Sequence, residues 1–251
     1  APVVSLLPAS PNTGDAIVVS IDTASTDADS GPSAISYDYG WTRDGAPQTA
    51  YAGLDTVPSS ATTRDEAWEV TVIATDGQAF SAPAMASVTI GNSAPSAMSA
   101  AITPANGDVS STFTCVASGW LDADGDADGY TYSWTVNSVP SVTTQTLAGS
   151  TVSSGDSIVC TATPFDGILA GSPVVSAPVV IGNGPPSIAG VSISHGTGTG
   201  GTVFTWLPSG WSDRDGDCPG YLYQWSVDGT PSVTTATISG ACFDKNQSLV
   251  C

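Results

Sequence analysis

A recurring tyrosine–tryptophan segment constrains this chain more than any other feature. Tyr130–Asn137 reads YTYSWTVN, Tyr221–Asp228, 91 residues on, reads YLYQWSVD, and Tyr37–Asp44, 93 residues back, reads YDYGWTRD. A second segment repeats with it: Ile90-Gly91-Asn92-Ser93-Ala94-Pro95 returns as Ile181-Gly182-Asn183-Gly184-Pro185-Pro186, and Ala1-Pro2 stands at the same phase. Self-similarity at a fixed period means one structural unit used several times. The units are expected at 1–92, 93–183 and 184–251, the third stopping about 25 residues short of the period of the others.

Inside a unit the apolar residues alternate with polar ones. Phe113, Cys115 and Ala117 do so, then Tyr130, Tyr132, Trp134 and Val136, then Ile158, Cys160 and Ala162. A period of two is a strand with one face buried. Asn137-Ser138 and Asp228-Gly229 follow the Trp strand and fit two-residue hairpin turns. The good helix formers Leu, Glu, Lys, Arg and Met are scarce. The pattern predicts an all-β chain: three tandem β-sandwiches in an elongated array, the third incomplete.

Charge excludes several kinds of function. Four Lys and Arg face 23 acids, all but Glu66 and Glu69 being Asp, for a net charge of −19. Such a chain has no basic stripe for phosphates, so no nucleic-acid partner is expected. No segment approaches the ~20 apolar residues of a membrane helix, so no membrane span is expected. With His195 as the single histidine, a multi-histidine zinc site is impossible. The Gly-Thr run at 196–201 beside it lacks the Lys-Ser/Thr end of a phosphate loop and reads as a flexible connection. Five cysteines without metal-type spacing fit an oxidising exterior.

The chain resembles bacterial or archaeal Ig-like repeats related to PKD (polycystic kidney disease) domains. The resemblance lies in an Asp-rich loop, Asp122-Ala123-Asp124-Gly125-Asp126, ahead of Tyr130-Thr131-Tyr132-Ser133-Trp134, then Thr163–Gly167 and the Asn-x-x-Pro boundary. It departs from the PKD pattern after the Trp, at Thr135-Val136-Asn137. It implies an extracellular or cell-surface location and a structural or adhesive segment of a fibre. The alternative is a carbohydrate-binding or spacer region of a larger secreted enzyme. It implies no catalytic residue. Expected partners are further copies or neighbouring repeats of a longer chain continuing past Cys251, with surface glycans as an alternative ligand. The Cys–Trp–Cys order of Ig-type sandwiches implies a Cys115–Cys160 cystine, with Ser20 and Val72 as its counterparts in the first unit and Trp206 and Cys251 in the third.

Two further sets of residues are candidates for chemistry. Alternate Asp with an interposed Gly can curl carboxylates around a hard cation such as calcium. Asp122, Asp124 and Asp126, with Asp166 and Asn92, are candidate ligands at the first joint. Asp213, Asp215 and Asp217, with Asn183, are candidates at the second. The first unit keeps only Asp27 and Asp29 of this loop. The same Asp residues can instead cap their own turns. Cys218 and Cys242, present only in the third unit, are expected to pair, Cys242–Cys251 being the rival. Trp120 and Trp211 either stack on a sugar, or cap the end of their own sandwich or pack at the joint, and packing suits their equivalent positions. Asn246-Gln247-Ser248 fits a glycosylation sequon.

Overall fold

The computed structural model describes residues 1–27, 35–242 and 246–251, and among these the chain forms strands and short 3-10 turns with no α-helix. Asp29 lies outside the described residues. The first sandwich comprises β1 (Val3–Leu7), β2 (Ile17–Thr23), β3 (Ser36–Arg43), β4 (Ala46–Pro47), β5 (Thr56–Val57), β6 (Ala67–Thr75) and β7 (Ala84–Thr89). Two sheets face each other, ordered β1-β2-β5 and β4-β3-β6-β7. The alternation in β6 turns Trp68, Val70, Val72 and Ala74 inward. Removing such a side chain from water is worth roughly 1.5–3 kcal/mol each. Trp41 from β3 meets Trp68 edge to face, ring centroids 6.3 Å apart, and the Trp41 Nε1–H donates to the Leu54 carbonyl.

The second sandwich repeats this plan with β8 (Ser99–Thr103), β9 (Thr112–Ser118), β10 (Tyr130–Val136), β11 (Val139–Pro140), β12 (Thr146–Ala148), β13 (Ser157–Pro164), β14 (Val174–Val175) and β15 (Val179–Val180). Its sheets are β12-β9-β8 and β11-β10-β13-β14, β15 also pairing with β13. The hairpin after the Trp strand turns through Asn137 and Ser138, both at positive φ, as Asp44-Gly45 and Asp228-Gly229 do. Such a turn matches the strand twist. Cys115 of β9 and Cys160 of β13 are disulfide-bonded, tying one sheet to the other. Trp134 sits directly opposite Cys160 in register, fully buried, its Nε1–H on the Thr144 carbonyl.

Register corrects the counterparts of this cystine in the first sandwich. Trp41 lies opposite Val70 as Trp134 lies opposite Cys160, and Ile17 opposite Val57 as Phe113 lies opposite Leu147. The counterparts are therefore Val19 and Val70, both buried, rather than Ser20 and Val72. Ser20 is one step along, and one step reverses the face; its hydroxyl donates to Asp22 instead.

The third sandwich comprises β16 (Gly190–Ile193), β17 (Val203–Ser209), β18 (Ser226–Val227), β19 (Thr230–Pro231), β20 (Thr237–Ser239) and β21 (Leu249–Val250), in sheets β16-β17-β20 and β19-β18-β21. Its buried core is small: Phe204, Trp225 and Ile238, with Trp206, Leu249 and Cys251 partly buried against them. The expected Cys218–Cys242 bond is not formed; both thiols are exposed, and Cys251 is unbonded too. Cys218 follows the Asp loop, at the end of the sandwich facing the second unit. Cys242 closes the turn after β20, which pairs with the far end of β17. The two thiols stand at opposite ends of the sandwich.

Candidate functional site at the joints between sandwiches

Each Asp loop is first a self-capped turn. The Asp122 Oδ1 accepts the Asp124 N–H at 2.7 Å and, weakly, the Asp126 N–H at 3.4 Å, with Gly125 at φ +77° in the bend. Asp213 accepts the Asp215 N–H at 2.8 Å in the same way. Short Asp side chains favour this local bonding. The turn then points its other carboxylates in fixed directions.

At the first joint Asp124 reaches out of its own sandwich. Its Oδ2 accepts the Ser93 N–H of the linker at 2.7 Å, and its Oδ1 accepts the Thr13 hydroxyl of the first sandwich. The Ser93 hydroxyl donates in turn to the Thr13 carbonyl at 2.8 Å. Asp126 takes a two-pronged hydrogen bond from Arg64, Nη1 at 2.6 Å and Nη2 at 3.1 Å, the geometry in which guanidinium and carboxylate pair best. Arg64 also donates to the Asn92 Oδ1, and the Asn92 Nδ2 donates to Asp166 at 2.8 Å. Asp166 caps its own turn through the N–H groups of Ile168 and Leu169.

Of the candidate ligands, Asp122, Asp126 and Asp166 converge, an oxygen from each lying within 4.8 Å of the others. Asp124 is turned away from that cluster and Asn92 borders it. The Asp122 Oδ2 is buried without a hydrogen-bond partner among the described residues. An orphaned oxygen on a residue that converges with two further carboxylates suits a hard cation.

The second joint repeats part of this. Asp215 accepts the Gly184 N–H, as Asp124 accepts Ser93. Asn183 donates to the Gly184 carbonyl at 3.2 Å, as Asn92 does to Ser93 at 3.1 Å. Two replacements weaken it. The bridges Asn12↔Gly91 and Asp108↔Gly182 make Val109 the counterpart of Thr13, so Asp215 lacks the hydroxyl that Thr13 gives Asp124, and its Oδ1 is buried without a partner among the described residues. Asp65 and Gly155 both donate to the closing isoleucine carbonyl, so Arg64 has Ser154 as its counterpart. Asp217 is exposed, and among the described residues it joins no three-carboxylate cluster. The charge of Arg214 instead helps lower the Asp108 carboxyl, after the hydrogen bonds from Ser110. Val109→Thr is expected to stabilise this joint by about 1 kcal/mol by giving Asp215 its missing donor; calorimetry of the intact chain checks this.

Arg64, Thr13 and Ser93 were not among the residues expected from sequence. The available signal was Arg64 itself, one of four Lys and Arg in a chain with 23 acids. Trp120 and Trp211 pack edge-on against Tyr130 and Tyr221, centroids 5.5 and 5.3 Å apart, each within its own sandwich.

The Arg64 hydrogen bond holds the Asp126 carboxyl below its ordinary 3.8, although burial opposes this. Burial also works against ionisation of Asp166, but hydrogen bonds from Leu169, Asn92 and Ile168 outweigh it and its value too is lowered. A depressed carboxylate adds stability that is present above its unfolded pKa and is lost as pH falls through the folded one. The first joint should therefore loosen as pH drops below about 4. Arg64→Ala should remove the Asp126 share of that response. Energy transfer between dyes on the first and second sandwiches, followed against pH, measures it.

No protein-family model and no curated protein matches the sequence. Among solved structures, a two-domain fibronectin type-III segment of chicken tenascin is similar at 11% identity and TM-score 0.39, over 71% of this chain and 98% of that one. A Ca2+-stabilized adhesin of an Antarctic bacterium is similar at 15% identity and TM-score 0.31, over 96% of this chain and 66% of that one. Fibronectin(III)-like modules of Clostridium thermocellum CbhA are similar at 14% identity and TM-score 0.25, over 71% and 94%. The tandem-sandwich fold of the present chain is established by its own sheets. No helix among the described residues is long and apolar enough to cross a membrane.

Proposed function

We propose that this chain is a structural or adhesive segment of an extracellular or cell-surface fibre, in which Ig-like units are held in fixed orientation by their joints. The observation that carries this reading is the repeated cross-joint bond: Asp124 to the Ser93 N–H, and Asp215 to the Gly184 N–H. A carboxylate clamped on linker backbone spends its hydrogen-bonding capacity on fixing one unit against the next. The proposed partners are copies or neighbouring repeats of the same kind, and no catalytic role is assigned to any residue. Electron microscopy of native material tests this: ordered filaments support it, and dispersed monomers that never associate overturn it.

Calcium belongs to the same proposal. Asp122, Asp126 and Asp166 would hold it at the first joint, where it would neutralise carboxylates that Arg64 balances only in part. Calcium is expected to raise the melting temperature of the chain and EDTA to lower it. Arg64→Ala should enlarge the difference, and Asp122→Asn should abolish it. A melting curve indifferent to both calcium and EDTA in all three proteins would overturn the calcium reading and leave the Asp loops as turn caps and cross-joint hydrogen-bond acceptors.

A further inference from the structure

Arg64, which couples the first joint, has a rival partner on its own turn. The Asp65 side chain is 91% exposed, and its carboxylate lies 4.0 Å from the Arg64 Nε. An adjacent acid is the easiest partner for an arginine on a mobile turn, although such exposed pairs are worth at most about 1 kcal/mol. The guanidinium instead spans 62 residues of sequence to Asp126 and also donates to Asn92. An arginine side chain has on the order of 2 kcal/mol of rotamer entropy to lose. Reaching across a joint therefore calls for a rigid base beneath it.

That base is the turn from Thr63 to Glu66. The Glu66 N–H donates to the Thr63 carbonyl at 3.2 Å, and Asp65 is left-handed, φ 71°. The Glu66 side chain, 16% exposed, closes the turn with three bonds. Its Oε2 accepts the Thr63 N–H at 3.0 Å and the Trp68 Nε1–H at 2.9 Å, and its Oε1 accepts from the Arg43 Nη1 at 3.0 Å. The Trp68 indole is fully buried in the core of the first sandwich, and the Arg43 guanidinium lies over it, 5.7 Å from the ring centre. One carboxylate thus ties the residue before Arg64 to a core side chain. The Glu66 carbonyl also accepts the Ile90 N–H at 2.9 Å, two residues before Asn92.

The second sandwich builds the same turn without this tie. Ile181 donates to the Asp156 carbonyl as Ile90 does to Glu66, so Asp156 is the counterpart of Glu66. Asp156 caps the Ser153 N–H at 2.8 Å as Glu66 caps Thr63, and takes Asn137 as its other partner. Val136 faces Ile158 in register where Arg43 faces Trp68, so the two contacts beyond the cap have no equivalent. The apex residue there is Ser154, which carries no charge across a joint. Of these two turns, the one whose apex is arginine is the one that holds Arg43, Glu66 and Trp68. Glutamate suits the place because its extra methylene carries the carboxylate to Trp68, and it is one of two glutamates among 23 acids.

We infer that Glu66 is a positioning residue for the first joint: it ties the turn bearing Arg64 to the Trp68 indole and so holds the guanidinium toward Asp126 and Asn92. This role rests on the reading of the joints as couplings of fixed orientation. Glu66 acts through Arg64 and needs no contact of its own with the second sandwich. Cutting the tie frees the turn from Thr63 to Asp65, and Asp65 then competes for the guanidinium.

Two measurements on the dispersed, intact chain test this: hydrogen exchange of the Arg64 guanidinium, and the width of the distance distribution between spin labels on the first and second sandwiches. Glu66→Ala is expected to speed the exchange by about 10-fold. It should broaden the distribution as far as Arg64→Ala does, and the double variant should broaden it no further. Glu66→Gln keeps one oxygen for both Thr63 and Trp68 and should stay close to the unsubstituted chain. A folded Glu66→Ala chain with unchanged exchange or unchanged width overturns the role. So does broadening that adds to that of Arg64→Ala, since Glu66 would then act on the joint by another route. Glu66→Gln as loose as Glu66→Ala overturns it too, by assigning the effect to the charge pair with Arg43. Should Glu66→Ala not fold, Glu66→Asp takes its place, keeping the Thr63 cap and losing the reach to Trp68, and the same outcomes decide. Neither measurement needs association, so a failure to form filaments overturns the fibre reading alone.

Discussion

Replacing Cys115 and Cys160 together by valine is expected to destabilise the second sandwich by about 4 kcal/mol, the chain-entropy value for a loop of this size. The bond closes 45 residues of sequence and joins the two sheets. Valine is the informative substitution because Val19 and Val70 occupy the same two positions in the first sandwich and are buried there. The pair of valines therefore keeps an apolar core of a shape the fold already accepts and removes only the cross-link. A serine pair would add buried hydroxyls and confound the result. In calorimetry of the intact chain the transition of the second sandwich should fall by on the order of 20 °C, with that of the first unmoved. An unmoved second transition would show that the apolar core alone sets its stability.

Trp134→Ala is expected to cost about 3–5 kcal/mol, the range for deleting a large buried aromatic. The indole is 1% exposed, lies opposite Cys160 and satisfies the Thr144 carbonyl. Alanine opens a cavity against the cystine and strips that carbonyl of its donor. Trp134→Phe keeps most of the volume and should lose less, chiefly the hydrogen bond, about 1 kcal/mol. Urea unfolding followed by exchange of the β13 amides separates the two variants. Equal losses would mean that the hydrogen bond, rather than the packing, holds the sheets together.

The fold was legible because burial here has a strict period of two. In β6 and β13 every second residue is buried, and the sequence alternates with them. Where the alternation carries no distinguishing side chain, register is lost. Ser20 and Val19 are neighbours in a strand, and only the ladder to Val57 and Thr56 shows which faces the core. The joints were half legible. Asp122, Asp126 and Asp166 announce themselves by loop composition, but Arg64 reaches Asp126 across 62 residues and two sandwiches. No local pattern encodes that meeting. Cys218 and Cys242 misled for a related reason: appearing together in one unit says nothing about the end of the sandwich at which each stands.

The two joints are not copies, since Thr13 and Arg64 at the first give way to Val109 and Ser154 at the second. Linkages in series share the same tension, and the softer one stretches farther. A pull along such a chain would be taken up more at the second joint than at the first. Choosing one residue in the coupling, arginine or serine, then sets how far a given point of the strand gives under load, without altering the sandwiches on either side.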